Sequence, residues 1–158
     1  VLRPDVRVDS VQDVTPTLLE NIDVSAVLVD LDDTLLAAAD DRVAPDVITW
    51  IRSLKDAGFA VAILSNGERQ RVQSIAQEAG VPAMSLAGKP FRMAFRKAMR
   101  LLGDATPHTT VMVGDQLFTD VLGAKRAGLK AILVRPLSPG KLPHTRLARR
   151  IERMLLKE

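Results

Sequence analysis

Apolar residues in this chain fall in short runs separated by segments with helical spacing. The runs are Ala26–Val29, Phe59–Leu64, a weaker Ala83–Leu86, Thr110–Val113 and Ala131–Val134. They are near-continuous rather than alternating, the pattern of parallel strands covered on both faces. After the first run, Pro45 suits the first position of a helix, and Val47, Trp50, Ile51 and Leu54 follow at i, i+3, i+4, i+7 spacing. Gly58 ends that helix. Further helices are expected over about Glu68–Ala79, Pro90 to about Leu102, roughly Thr119–Ala127, and about Pro143 to the C-terminus. Gly80, Gly103 and Gly128 close the first three of these.

Strand alternating with helix predicts an α/β fold, a doubly wound, Rossmann-like parallel sheet of five strands with right-handed crossovers. Residues 1–24 precede the pattern and are expected to form an N-terminal arm packed on the domain, with Thr15-Pro16 as a helix start. Residues 25–158 then form the main domain.

Composition narrows the class only a little. The 158 residues are 47% hydrophobic and 26% charged, enough for one domain with a real core. There is no Cys, which excludes disulfides and thiolate metal sites and is compatible with a cytoplasmic location. No apolar run approaches the roughly 18–20 residues of a membrane span. The opening VLRPDVRVDS has neither a Met nor a secretory pattern, so the native start is expected to be missing. The net charge of +3 is too small to imply nucleic-acid binding, and none is expected. Its distribution is uneven: residues 141–158 hold six Lys or Arg and two Glu, leaving −1 for residues 1–140. There Leu147, Ile151, Met154 and Leu155 form an apolar stripe among Arg146, Arg149, Arg150, Arg153 and Lys157. The plain reading is a helix packed on the domain with a solvated basic face. The sharper one is electrostatic attraction to anionic lipid, as peripheral contact at the inner face of a membrane, or to another acidic partner.

Ligands of doubly wound sheets bind beyond the carboxyl ends of the strands. The residues there are DLDDT after the first run, Ser65-Asn66-Gly67 after the second, Gly88-Lys89-Pro90 after the third and GDQLFTD after the fourth. Asp30 is the first residue past its strand, where a carboxylate can attack phosphorus. Both reactants are anions, so a cation must bridge them. Mg²⁺, which takes oxygen ligands, suits Asp30 and Asp115 if their strands are neighbours. Asp32 can protonate the leaving oxygen and then activate water, and its backbone carbonyl can serve as a further metal ligand. Lys89 offers a fixed positive charge, and Ser65 with the amides of Asn66 and Gly67 offers donors to a phosphoryl group. Asp120 can hold a metal-bound water or orient Lys89. Asp33 reads as an outward, solvated or capping acid, Trp50 as a core residue, His108 and His144 as surface residues. Phe118 can either pack its loop or touch substrate.

DLDDT, SN, GKP and GDQLFTD in this order resemble the four motifs of the haloacid dehalogenase (HAD) superfamily, across roughly residues 25–136. The resemblance implies Asp30 as nucleophile, Asp32 as acid/base, Ser65 and Lys89 as phosphate-binding residues, and Asp115 and Asp120 in the Mg²⁺ motif. Asp32 favours phosphoryl transfer, because members acting on carbon–halogen bonds lack that second acid. LRPD, Trp50, SNG with Arg71-Val72, and GDQLFTDVLGAKRAG followed by ILVRPL are similar to the YqeG-like branch, subfamily IIIA. Lys125 stands where that branch has Asn. Relatives in the wider branch include phosphatases acting on phosphatidylglycerophosphate.

Spacing bears on the substrate. Nine residues, Leu36 to Ala44, separate the first motif from the next helix, and 23 lie between Ser65 and Lys89. Neither interval can hold a cap domain. The expectation is therefore a capless, Mg²⁺-dependent phosphatase using an aspartyl-phosphate, with an open site suited to a bulky substrate, lipid or macromolecular. Two alternatives stand beside it: a phosphatidylglycerophosphate phosphatase at the membrane surface, and a phosphate- or partner-binding module with vestigial activity. The spacing is silent on oligomeric state.

Overall fold

The computed structural model describes residues 2–103 and 105–138. Six strands form one parallel sheet: β1 (Val6–Val8), β2 (Ala26–Val29), β3 (Ala60–Leu64), β4 (Ala83–Met84), β5 (Thr110–Gly114) and β6 (Lys130–Val134). Their order is β1-β6-β5-β2-β3-β4, every pairing parallel. The helices are α1 (Pro16–Asn21), α2 (Pro45–Asp56), α3 (Arg69–Ala79), α4 (Arg92–Met99) and α5 (Leu122–Arg126).

The near-continuous apolar runs have a simple cause. Along β2, Val27 and Val29 join one core layer with Trp50, Ile51 and Leu54 of α2 and Val72 and Ile75 of α3. Ala26 and Leu28 join the opposite layer with Phe95 and Met99 of α4 and Ala124 of α5. Each face of the strand is thus covered, and no position is left for a polar residue.

The sheet has six strands rather than the expected five. The sixth comes from the N-terminal segment, where Val6, Arg7 and Val8 pair with Ile132, Leu133 and Val134. Three residues with only two apolar positions are too short for periodicity to reveal. Asp5 anchors the strand: its carboxylate accepts from the Ala131 amide at 2.8 Å and from Lys125, and its own amide donates to the Ala131 carbonyl at 2.8 Å. Lys125, the departure from the branch pattern, therefore fastens the edge strand. Burial would raise the Asp5 pKa, but these donors outweigh it and hold the carboxyl below its usual value.

Helix boundaries shift where local chemistry decides them. Thr15 caps α1 by accepting from the Leu18 amide at 3.2 Å. α4 starts at Arg92 rather than Pro90, and the expected helix over Thr119–Ala127 is a π-turn, Leu117–Val121, leading into the short α5. β4 is only two residues, so Leu86 lies beyond it. The intervals from β2 to α2 and from β3 to β4 contain no inserted domain. No helix among the described residues is long and apolar enough to cross a membrane. The basic amphipathic helix expected from Pro143, with His144, lies outside the described residues.

Trp50 is a core residue, as its spacing predicts. It is 5% exposed, and its indole N–H donates to the Val14 carbonyl at 2.9 Å, joining α2 to the segment before α1. Trp50→Phe keeps most of the packing but strands a buried carbonyl. It should cost about 1–3 kcal/mol in urea unfolding and leave catalytic constants within about twofold. A neutral substitution would show that this bond does not hold the segment.

Candidate active site

Four strand ends converge because β2 lies between β5 and β3, and β3 lies beside β4. The Asp30 amide donates to the Val113 carbonyl at 2.9 Å, so Asp30 and Asp115 leave adjacent strands side by side. Carboxylate oxygens of Asp30, Asp115 and Asp120 lie within 4.8 Å of one another.

Lys89 enters this acid cluster from the β4–α4 loop. Its side chain is 2% exposed, and its ammonium donates to Asp30 Oδ1 at 2.8 Å and to Asp120 Oδ1 at 2.7 Å. Burial alone would lower the lysine pKa, but the charges and hydrogen bonds of Asp120 and Asp30 outweigh it and hold it raised. One ammonium does not neutralise three acids. Asp115 is pushed well above the usual carboxylate range by burial, then by the charges of Asp30 and Asp120. Asp120 is also raised, by burial and by Asp30, with Lys89 acting in the opposite direction. The residual negative charge and the all-oxygen donor set fit a hard divalent cation.

The supporting residues explain how the loops hold this geometry. Asn66 grips the Lys89 peptide from both sides: Nδ2 donates to the Lys89 carbonyl at 3.1 Å, and the Lys89 amide donates to Oδ1 at 2.8 Å. The Asn66 side chain is thus committed to the lysine loop, while its backbone amide stays available as the donor expected for an anion. Ser65 is 1% exposed, and its Oγ accepts from the Gly67 amide at 2.9 Å. Asp120 Oδ2 accepts from the Gln116 amide at 3.2 Å, so this acid both orients Lys89 and closes its own turn. Gly114 makes room for it, since a Cβ there would stand 2.2 Å from Asp120 Oδ2. Gly123 is required for the same reason in the layer behind, where a Cβ would meet the Phe95 ring at 2.4 Å and Pro90 Cα at 3.0 Å.

Two readings of DLDDT change. Asp33 is not an outward, solvated acid: it is 8% exposed with φ +60, its carboxylate accepts from the Ala38 amide at 3.4 Å, and its carbonyl accepts from the Leu137 amide at 3.0 Å. It is a turn residue in the left-handed region, which Asp tolerates better than most side chains. Thr34 does more than close the turn, donating from Oγ1 to Asp115 Oδ1 at 3.1 Å. Asp32 is not one of the three clustered acids, and its carboxylate accepts from Arg71 Nη1 at 2.5 Å. Arg71 is a site residue that spacing did not assign. Its only sequence signal was its place in the Arg71-Val72 pair of the resemblance. His108 is exposed and remote, as expected, and Phe118 is 40% exposed rather than packed into its loop.

A groove of about 320 Å³ adjoins the site, between Gln12 of the N-terminal segment, the Thr34–Ala37 turn, Asp46 at the start of α2 and Leu137 beyond β6. Thr34 connects it to Asp115.

The model of the haloacid dehalogenase-like hydrolases matches residues 7–128. Among curated proteins, the chain is 35% identical over 153 residues to the probable phosphatase YqeG of Bacillus subtilis, covering 97% of this chain and 88% of that one. It is 32% identical over 117 residues to human N-acylneuraminate-9-phosphatase, but spans only 46% of that protein's length. Among solved structures, the cobalt-bound deoxy-D-mannose-octulosonate 8-phosphate phosphatase of Haemophilus influenzae superposes with a TM-score of 0.59 at 19% identity, covering 88% of this chain and 90% of that one. At that identity the likeness speaks for the fold.

The Gly114–Asp120 approach gives a direct test. Gly114→Ala should cost about 1–3 kcal/mol through overpacking. Combined with Asp120→Gly, which removes the clashing carboxylate and also the Asp120 Cβ that would stand 2.7 Å away, it should cost clearly less than the sum of the two single changes. Additive losses in urea unfolding would mean that the close approach is not what requires glycine.

Proposed function

The chain belongs to the haloacid dehalogenase-like hydrolases, and we propose that within them it is a Mg²⁺-dependent phosphomonoester phosphatase that carries the phosphoryl group on Asp30. The observation that carries this reading is the buried Lys89 ammonium between Asp30 and Asp120, with Asp115 beside them and charge left over for a cation. A recognition module has no use for a nucleophile and a second acid two residues apart, so catalysis is the better account.

Asp30, Asp115 and Asp120, with the backbone carbonyl of Asp32, would hold the metal. When bound, Mg²⁺ supplies charge neutralisation between a phosphoryl group and an anionic nucleophile. The chain's own residues do the rest. Asp30 attacks phosphorus, Lys89 stabilises the incoming negative charge, and the Ser65 hydroxyl, whose oxygen is held by the Gly67 amide, orients the phosphoryl oxygens together with the Asn66 amide. Asp32 protonates the leaving oxygen and then takes a proton from the water that releases phosphate.

The substrate is proposed to be bulky. Among the described residues no cap covers the strand ends, and apolar side chains on the surrounding loops face solvent: Leu86 and Phe91 are each 69% exposed, Phe118 40%. The glyceraldehyde 3-phosphate phosphatase of Pyrococcus furiosus and the human enzyme act on small molecules. This chain spans 41% and 46% of their lengths, so their substrates transfer poorly.

A specific observation also favours a lipid substrate met at the inner face of a membrane by a cytoplasmic protein. On α4 and the turn after it, Arg92, Arg96, Lys97 and Arg100 are exposed with no ion-pair partner among the described residues. Phe91 and Met93, 69% and 57% exposed, stand among them, and no Asp or Glu occurs between Glu78 and Asp104. Apolar side chains set among cations suit an anionic bilayer.

Asp30→Asn should reduce turnover of an aryl phosphate in Mg²⁺ to background while the protein stays folded, with an unchanged circular dichroism spectrum at the assay temperature. Retained turnover would contradict the mechanism. For the lipid reading, the measurement is phosphate release from phosphatidylglycerophosphate in anionic vesicles. Arg96→Glu with Arg100→Glu should lower it about tenfold or more, by loss of roughly 1 kcal/mol of surface attraction per cation and reversal of its sign. Soluble aryl phosphate should be unaffected. No release from the vesicles, against good turnover of the soluble ester, would exclude the lipid.

A further inference from the structure

Arg71 is the third residue of α3, and its guanidinium reaches across to the DLDDT loop. Nη1 donates to Asp32 Oδ1 at 2.5 Å, and Nη2 donates to the carbonyls of Asp40 at 3.0 Å and Ala38 at 3.4 Å. One planar fork thus ties together α3, the second acid of the motif and the turn that follows it. Arginine suits this work because its donors are held in a rigid plane and can meet several acceptors at once.

The other oxygen of Asp32 faces differently. A Cβ built on Gly67 would lie 3.6 Å from Asp32 Oδ2 and 3.0 Å from Ser65 Oγ. Oδ2 therefore stands on the side of the Ser65-Asn66-Gly67 loop, where the phosphoryl group is proposed to sit. The two oxygens of a carboxylate are chemically equivalent, and the terminal torsion of Asp is broad and two-fold. Left alone, the group would spread over many orientations. The side chain of Asp32 is 38% exposed, so packing does not restrain it. Its hydrogen bond to Arg71 does.

We propose that Arg71 is the positioning residue of the proton-transfer step: it holds Asp32 Oδ1 and thereby presents Oδ2 alone to the leaving oxygen. This rests on the reading of Asp32 as acid/base. As an Asp30 oxygen bonds to phosphorus, the bond from phosphorus to the leaving oxygen breaks. The leaving oxygen keeps the electron pair and takes the proton from Asp32 Oδ2. In the second half, Oδ2 takes a proton from the attacking water as the bond between Asp30 and phosphorus breaks. In a site that no cap among the described residues covers, this clamp does from within the domain what a closing lid would do for the orientation of the acid.

Leaving-group dependence separates positioning from mere support. A dinitrophenyl phosphate departs without a proton, whereas an alkyl phosphate needs one. The quantity to measure is kcat/KM, which reports the steps up to the first irreversible one. For Arg71→Ala it should fall about 30-fold or more with an alkyl phosphate, within the span of general acid catalysis, and less than about threefold with the dinitrophenyl ester. Arg71→Lys, which keeps the charge but not the fork, should show the same selective loss at smaller size, and carries the comparison if the alanine variant fails to fold. Asp32→Asn should show the pattern at full size, with Asp32→Asn/Arg71→Ala no worse. Equal losses on both esters for the Arg71 variants, while Asp32→Asn stays selective, would overturn the assignment of Arg71. An Asp32→Asn variant with no selectivity would overturn the role of Asp32 itself, and the inference with it.

Discussion

Lys89 holds its ammonium in a nearly solvent-free position between Asp30 and Asp120, and much of the molecule is arranged so that it can stay there. A buried charge deprived of one partner typically costs about 3–5 kcal/mol, so both acids must be accurately placed. Asp30 is placed by the end of β2, Asp120 by the turn after β5, and Lys89 by the amide clamp from Asn66 on its own peptide. Gly114 and Gly123 are where two of these approaches leave no space for a side chain. The parallel order β5-β2-β3-β4 is what brings the loops to one edge.

The same arrangement accounts for the crowding of acids that first marks the DLDDT stretch. Its three aspartates have separate surroundings. Asp30 faces Lys89 and the metal-sized acid cluster, Asp32 faces Arg71, and Asp33 is folded into the turn with the Ala38 and Leu137 amides. Each thus has a donor of its own, so adjacency in sequence does not become three like charges in one place. Thr34 completes the set by donating to Asp115.

The strands that carry the site were legible in sequence because apolar runs covered on both faces have a strong signature, and polar groups just beyond them stand out by contrast. β1 was not legible, since three residues anchored by Asp5 leave no periodic trace. The π-turn at Leu117–Val121 was also hidden, because its spacing follows from Asp120 accepting the Gln116 amide rather than from hydrophobic pattern. Among site residues, Asp30, Ser65, Lys89, Asp115 and Asp120 come together as their positions after strands implied. The grip of the Asn66 side chain on the Lys89 peptide was not legible, because a side-chain amide serves a loop peptide as well as an anion, and Arg71 was missed because its partner is 39 residues away. Asp33 looked solvated because sequence carries no mark of a left-handed turn at a non-glycine residue.

The proposed mechanism stands or falls on passage of the phosphoryl group through Asp30, the carboxylate that Lys89 and the acid cluster hold in place. The direct measurement is to quench the protein in acid during turnover of a phosphate ester in Mg²⁺, reduce with borohydride, and sequence its peptides by mass spectrometry. An acyl phosphate at Asp30 is reduced to homoserine, so homoserine at position 30, absent without substrate, is the predicted result. Turnover that leaves position 30 as aspartate, or homoserine formed at Asp32, Asp115 or Asp120 instead, would contradict the account.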